Sequence, residues 1–511
     1  MILALLPLSH FVLGVLCYAH KRASRGFAAL GWCIGVAISV FLLVATRDGS
    51  TLSLGLGGWP AELGIGLRFD AVAAAFAPLL LLLELAVLLY ARKGERDPLF
   101  YALLQFLLGA VFALLLAVDL FNEYAILELL TLVSFLLVGY ERRATQVWAS
   151  LKYLILASIG MSLFLVGVAL VYHHTGTLNL SLIADIVRAR PNAPWIPLTA
   201  TLLAVGVAVK AGVLGLSQWL PAAHSAAPTE VSALLSGLVI KMGIVVLLRV
   251  SQVFPLGLLL QVLGTMTALV GVLYAAYARN LKRMLAFHTL SQIGYLVLGL
   301  SVGTPDALAG VLDYAIAHGL FKGLLFLAAG EAKRAAGGDR FAELAANRRS
   351  IPNATIAALL LGTLAIVGLP PLAGFGAKAA LLDCHPNRFV FAVFYLTTIG
   401  TAFSFAKLIP LFRWHRGTAR SDRIGAYATL ALPILFFIPL TVTALPSLDL
   451  AAEFEPLLVI ESLAAIAIGT LLHRLLRRRT PRLPVRLFFL EEAVLAILIA
   501  FLVAAALIHV H

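Results

Sequence analysis

Gly368-Leu369-Pro370-Pro371-Leu372-Ala373-Gly374-Phe375-Gly376-Ala377-Lys378 interrupts an apolar run that extends from residue 353 to 384. The run is long enough to cross a bilayer. Two adjacent prolines remove backbone donors from its middle, and the glycines permit turns that a helix does not make. Carbonyls freed inside a membrane need water or a polar side chain, so such a break marks a helix that lines a cavity. A lysine closes the stretch. An ammonium at bilayer depth costs about 2.5–3.5 kcal/mol on insertion scales, and lysine, unlike arginine, can release its proton when buried. A second run is interrupted in the same way, at Val205-Gly206-Val207-Ala208-Val209-Lys210-Ala211-Gly212 followed by Gln218-Trp219-Leu220-Pro221. It also carries a lysine.

Outward from these breaks, segments of membrane-crossing length, about 20 apolar residues each, follow one another along the chain. Hydrophobic residues make up 61% of the 511 and charged residues 12%, with mean hydropathy +1.00, which excludes a soluble domain. Sixteen helices are predicted, near 2–19, 27–45, 70–91, 99–118, 121–140, 148–172, 197–220, 227–248, 256–278, 285–302, 307–330, 353–384, 389–412, 425–445, 456–472 and 487–508. The alternating pattern of a membrane β-barrel is absent, so the expected class is an all-α polytopic membrane protein with 14–16 transmembrane helices. The first break falls in the fourth helix of a block over residues 99–250, the second in the fourth helix of a block over 254–413. Two five-helix blocks broken at the same place suggest internal repeats. Because five is odd, the second block must start from the opposite side and is inverted. Two unrelated proline kinks are the competing reading. A three-helix segment, 1–95, precedes the blocks, and C-terminal helices, 425–511, follow them.

The net charge of +13 invites a nucleic-acid reading, which the placement of the charges excludes. Loops after odd-numbered helices carry the clusters Lys21–Arg25, Arg92–Arg96, Arg142–Arg143, Arg279–Arg283, Lys333–Arg349, Arg413–Arg423 and Arg474–Arg486. The opposite loops carry only Arg47, Arg68, Arg188, Arg190, Arg249 and Arg388. This is positive-inside asymmetry, with both termini expected outside the cytoplasm and the basic loops against lipid head groups. Cys17, Cys33 and Cys384 have no metal or redox spacing and read as apolar filler. No nucleotide, dinucleotide or haem motif occurs, so no cofactor or metal site is expected. Met1–Ala19 lacks a basic start and a cleavage site and reads as the first helix.

Six lysines lie within or at the ends of the apolar segments: Lys152, Lys210, Lys241, Lys322, Lys378 and Lys407. Glu128, in Ile126-Leu127-Glu128-Leu129-Leu130, is read as the partner of Lys210, either as a movable ion pair or as a static salt bridge. Lys241 is deep in the eighth helix. His318 and Lys322, four residues apart, share one face of the eleventh. Histidine titrates near neutrality, which suits that face to proton relay. His288 opens the tenth helix, as relay or as cap. Lys152 and Lys407 lie near helix ends, where lysines snorkel. Glu84 lies outside the blocks and is read as facing a partner subunit or an interface. Glu461, Glu491 and Glu492 are read as interfacial, and Arg474–Arg486 as a cytoplasmic anchor.

These residues resemble the antiporter-like membrane subunits shared by respiratory complex I, Mrp-type sodium/proton antiporters and energy-converting hydrogenases. The resemblance covers most of the chain. It rests on Gly57-Gly58-Trp59-Pro60, on Asp119-Leu120-Phe121-Asn122 leading to Glu128, and on Ser217 to Gly237 with its core Pro221-Ala222-Ala223-His224-Ser225-Ala226-Ala227-Pro228-Thr229. Asn280-Leu281-Lys282-Arg283 to Tyr295 and Ala317-His318-Gly319-Leu320-Phe321-Lys322-Gly323 extend it. It implies two inverted five-helix half-channels. It also implies a glutamate–lysine pair at Glu128 and Lys210, a connecting lysine at Lys241, a central pair at His318 and Lys322, and a distal exit at Lys378. The chain departs from the family at Ser236, where the largest complex I subunit has histidine, and at Asn280, commonly aspartate. The long lateral helix of that subunit is absent, and the last two helices have no motif.

The expected function is translocation of protons, alone or in exchange for sodium, along buried Glu, Lys and His within a hetero-oligomeric complex of integral membrane subunits. The alternative is a proton-pumping membrane subunit of a redox complex, NADH:quinone oxidoreductase or membrane-bound hydrogenase, with no redox centre of its own. The expected location is the bacterial inner membrane.

Overall fold

The computed structural model of the chain describes residues 1–60, 62, 64–91, 96–215, 217–383, 388–414, 421–436 and 456–476. Three helices, α1 (Ile2–Ala19), α2 (Ser24–Ala45) and α3 (Ala71–Ala91), precede the repeats, with a hairpin of β1 (Leu52–Gly55) and β2 (Gly66–Phe69) before α3. The strands pair antiparallel from Leu52 opposite Phe69 to Gly55 opposite Gly66. Apolar length alone does not foretell this hairpin. Gly57 and Gly58 turn its loop with φ of 71° each, a conformation open to glycine.

The first repeat comprises α4 (Pro98–Leu116), α5 (Leu120–Val138), α6 (Ala144–Thr175), the short α7 (Leu180–Ala189), α8 (Trp195–Ala211) with α9 (Trp219–Ala226), and α10 (Thr229–Leu234) running through a π turn, Leu235–Val239, into α11 (Ile240–Val253). The second comprises α12 (Gly257–Tyr277), α13 (Leu281–Leu300), α14 (Pro305–Ala336), the short α15 (Phe341–Ala346), α16 (Asn353–Val367) with α17 (Ala373–Asp383), and α18 (Arg388–Phe405), which ends in a 3₁₀ turn, Ala406–Leu411. Two more helices follow, α19 (Ile424–Phe436) and α20 (Pro456–Leu476). The protein is an all-α polytopic membrane protein. Eleven helices among the described residues are long and apolar enough to cross a membrane, and shorter apolar helices account for the broken segments and the start of α19. The predicted helix at 487–508, with Glu491 and Glu492, lies outside the described residues, as do Cys384 and residues 477–486.

From the start of the second helix to the bridge after the third, the two repeats match at an offset of 161 residues. α6 and α14 are each 32 residues long. Each stops at a glycine in the left-handed conformation, Gly176 (φ 71°) and Gly337 (φ 76°), which supplies a helix C-cap that β-carbon-bearing residues resist. Three residues later the chain forms an antiparallel bridge back to the start of the second helix of its repeat. The bridge is Asp119 with Asn179 in the first repeat and Asn280 with Arg340 in the second. The aspartate expected at position 280 is not needed for that loop, because the Asn280 amide donates to Asp339 at 2.8 Å.

Three arginines or lysines counted as loop charges are buried clamps instead. Lys282, 3% exposed, donates to the Ala227 carbonyl at the end of α9. Arg249 reaches the carbonyls of the last turn of α4, Leu114 at 2.9 Å and Leu115 at 2.7 Å, and pairs with Glu123 at 2.9 Å. Arg423 donates to the Tyr90 carbonyl, with its guanidinium 4.6 Å from the Tyr90 ring. Glu84 also departs from its reading. It faces no interface but is fully buried, taking a hydrogen bond from Gln105 at 3.0 Å with His10 3.9 Å away. This polar knot ties α1, α3 and α4 together.

Candidate functional site

Both broken helices end alike. At the first break the Val213 amide bonds to Ala208 and the Gly212 amide to Val209; at the second, Leu369 bonds to Leu364 and Gly368 to Ala365. Each is a Schellman cap on a left-handed glycine, Gly212 (φ 72°) and Gly368 (φ 89°). The cap satisfies some carbonyls of the last turn and leaves others to side chains. At the first break the Trp219 indole donates to Val209 at 2.9 Å. At the second, the Lys378 ammonium donates to Ile366 at 2.8 Å and Val367 at 3.3 Å. The lysines therefore sit on opposite sides of their breaks, Lys210 in the last turn before the first and Lys378 in the helix after the second.

Lys210, 5% exposed, donates to the Thr131 hydroxyl on α5, which in turn donates to Leu127 at 2.7 Å. Glu128, half-buried one turn earlier on α5, lies within electrostatic reach of Lys210 without contact. Tyr153 of α6 closes this end, its ring 4.2 Å from that of Trp219. The same offset of 161 carries Tyr153 to Tyr314 and Thr131 to Gln292. Tyr314 donates to Gln292, and its ring lies 5.8 Å from that of Tyr295, over which Lys378 stands at 5.7 Å.

Between the two ends lies a fully buried centre. The π turn widens the helix so that Lys241, the second residue beyond it, donates back to the Ser236 carbonyl. The Ser236 hydroxyl meets that of Thr289 on α13 at 2.8 Å. Lys322 of α14 donates to the Leu285 carbonyl at 2.5 Å, with its ammonium 5.8 Å above the Phe326 ring. His318 is held between Tyr314 and Phe321, and His288 lies 4.8 Å from Phe405, centroid to centroid. Among the described residues no group bonds to either ring nitrogen of His288 or His318. The charges of Lys241, Lys322 and Lys378 all act on His318, and those of Lys322 and Lys378 act on His288. Among the described residues no carboxylate pairs with Lys241, Lys322 or Lys378.

His224 stands out in the sequence only as part of a motif, yet it joins this centre. It is fully buried, Nδ1 lies 3.0 Å from Leu220 O, and Lys322, Lys282 and Lys241 act on it. Its neighbours Ala222 and Ser225 line a cavity of about 350 Å³ with Arg143, Gln146 and Lys333. Glu123 and Arg249 escape sequence reasoning as a pair because 126 residues separate them. Lys152 and Lys407 stay outside the row: Lys152 is half-buried over Trp148, and Lys407 caps the end of α12 through Ala275, Ala276 and Ala278. Arg96 forms a further cluster outside the spans, with Glu141 at 3.1 Å and Glu230 at 2.9 Å. Partial burial pushes the Glu141 carboxyl up, but hydrogen bonds from Arg96 and Gln146 and the charges of Arg96 and Arg143 outweigh it, holding the group below its ordinary value. Among the described residues no three His, Cys, Asp or Glu gather as a metal site.

Residues 117–404 match the family described as "NADH:quinone oxidoreductase/Mrp antiporter, TM". The chain is 30% identical to the D-type Na(+)/H(+) antiporter subunit of Alkalihalophilus pseudofirmus over 83% of its own length and 88% of that protein's. It is 32% identical to the N-type NADH-quinone oxidoreductase subunit of Desulforudis audaxviator over 79% and 88%. In three dimensions it resembles a chain of the membrane-bound sulfane sulfur reductase, an archaeal respiratory membrane complex. The TM-score is 0.77 at 25% identity, over 92% of this chain and 98% of that one.

Proposed function

Because the chain belongs to the NADH:quinone oxidoreductase/Mrp antiporter transmembrane family, we propose that it is a proton-translocating membrane subunit of a multi-subunit complex. We assign the translocation path to Glu128, Lys210, Lys241, His318, Lys322 and Lys378, with His288 and His224 beside it. The observation that carries this reading is the row itself: buried amines from α8 to α17, each bonded to a hydroxyl or a carbonyl, with imidazoles between them that no protein group satisfies. Ammonium groups held this way can lose a proton without leaving an unpaired carboxylate behind. Orphaned ring nitrogens are positions where a proton can be taken up or given away.

Transport then runs as follows. The cavity beside Ala222 and Ser225, among the basic residues Arg143 and Lys333, admits water from the basic side to the first break. Lys210 takes a proton there while the Glu128 charge, close but not in contact, favours it. When a neighbouring protein in the complex perturbs Glu128, Lys210 loses that support and its proton moves toward Lys241 and Lys322. His318 links these to Lys378, which releases the proton beyond the second break. By the positive-inside asymmetry the basic loops are cytoplasmic, both termini are outside, and the membrane is the bacterial inner membrane. Sodium exchange belongs to the same reading through the resemblance to the D-type antiporter subunit. Resemblance to the N-type oxidoreductase subunit and to the sulfane sulfur reductase complex supports a second reading, a pump module of a redox complex with no redox centre of its own.

Lys210→Ala should abolish proton transport by the intact complex in proteoliposomes while leaving its assembly unchanged. Undiminished pumping by a correctly assembled variant sinks the path. Identifying the proteins that co-purify in mild detergent separates the two parent complexes.

A further inference from the structure

α20 lies beyond the motifs, yet it is closely seated. Gly469 packs on α18 where any β-carbon would collide with the Ile399 carbonyl and Ala402. The rings of Phe403 and His473 lie 5.3 Å apart. Ser462 Oγ donates to the Gly368 carbonyl at 2.6 Å, and Gly368 is the left-handed cap of the second break. α20 is therefore bonded to the break itself.

The same stretch of α20 closes a cavity of about 50 Å³ against α17 and α18, enough to hold water. Lys378, Tyr395 and Thr398 line one side of it, Glu461 and Ser462 the other. Glu461 is half-buried and shares the cavity with Lys378 without touching it. The lining residues come from α17, from α18 between Phe391 and Thr398, and from the first half of α20. α18 and α20 run from the ends carrying Arg388 and Pro456 toward the ends where Arg413 follows and Arg474 lies, so the cavity lies toward the side of the membrane away from the basic loops.

We infer that this cavity is the port through which Lys378 exchanges protons with water on the side away from the basic loops, and that Glu461 carries them across its mouth. The inference rests on Lys378 being the distal member of the proposed path. The proton leaves Lys378 Nζ, which becomes a neutral amine, and reaches a Glu461 carboxylate oxygen through water in the cavity. The resulting carboxylic acid then releases it outward and becomes a carboxylate again. No other bond forms or breaks.

The test uses the whole complex in proteoliposomes. Glu461→Gln should slow proton transport about a hundredfold or more, the scale on which a positioned acid–base group acts, and Glu461→Asp should restore part of the rate. In a background with Cys17, Cys33 and Cys384 changed to serine, Leu458→Cys, at a lining position, should transport normally. A cationic, membrane-impermeant thiol reagent added from the side away from the basic loops should then block it. If Lys378→Ala stops transport while Glu461→Gln and labelled Leu458→Cys run at full rate, the port is overturned and the path stands. A slow Glu461→Gln with Glu461→Asp equally slow and labelling without effect also overturns it. If Lys378→Ala itself transports normally, the path fails at its distal end.

Discussion

At the scale of single residues, burial sorts the charges into two kinds. Arg249 and Glu123 form a closed pair whose remaining guanidinium donors go to Leu114 and Leu115, so removing one member leaves the other buried and unpaired. Arg249→Leu should destabilise the protein by about 3–5 kcal/mol, read as a fall in melting temperature in detergent. Changing Glu123 to leucine as well should recover part of that loss, because two apolar side chains replace two charges. The lysines of the proposed path are of the other kind, held by oxygens and not by opposite charges. Lys210 is legible in the sequence because it interrupts an apolar run beside a glycine. Glu123 and Arg249 are not legible as a pair, since each sits near a helix end and nothing local names its partner.

At the scale of elements, most of the proposed path is written in apolar length and in glycine and proline placement. The breaks at Gly212 and Gly368, the lysines beside them and the sharing of a face by His318 and Lys322 all follow from local chemistry. The π turn at Leu235–Val239 has no local signal, because Leu235-Ser236-Gly237-Leu238-Val239 would serve equally in an ordinary helix. It is fixed by what packs around it: a β-carbon on Gly237 would press on Leu83 and the Gly319 carbonyl, and Ser236 meets Thr289. Helix crossings depend on glycine in the same non-local way. A β-carbon on Gly271 of α12 would strike the Ser291 backbone of α13, and Ser291 already donates to Ala268 at 2.9 Å. Gly271→Val should overpack this crossing at a cost of about 1–3 kcal/mol, seen as reduced accumulation of folded protein, whereas Gly303→Ala in an open loop position provides a comparison of backbone strain alone.

At the scale of the whole molecule, the cluster of Arg96, Glu141 and Glu230 joins the loop before α4, the loop after α5 and the first turn of α10. Glu141 is held below its ordinary value in the folded protein. Its contribution is therefore complete above the unfolded carboxylate value of about 4.3 and disappears as pH falls through the lower folded value. Glu141→Gln should accordingly flatten the loss of thermal stability between pH 5 and the acid limit, measured by melting curves across that range, and leave the slope near pH 7 unchanged. The molecule as a whole also carries a consequence of its lysine row for selectivity. A metal ion leaving water needs oxygens to replace its hydration and negative charge to hold it. Along this row the oxygens of Ser236, Leu285, Ile366 and Val367 are already taken by amines, and among the described residues no carboxylate is paired with those amines. On the proposed path, such an interior would pass positive charge as protons handed between bases and would disfavour sodium. Under that proposal, any sodium moved by the complex would take a different route, at surfaces this chain shares with other subunits.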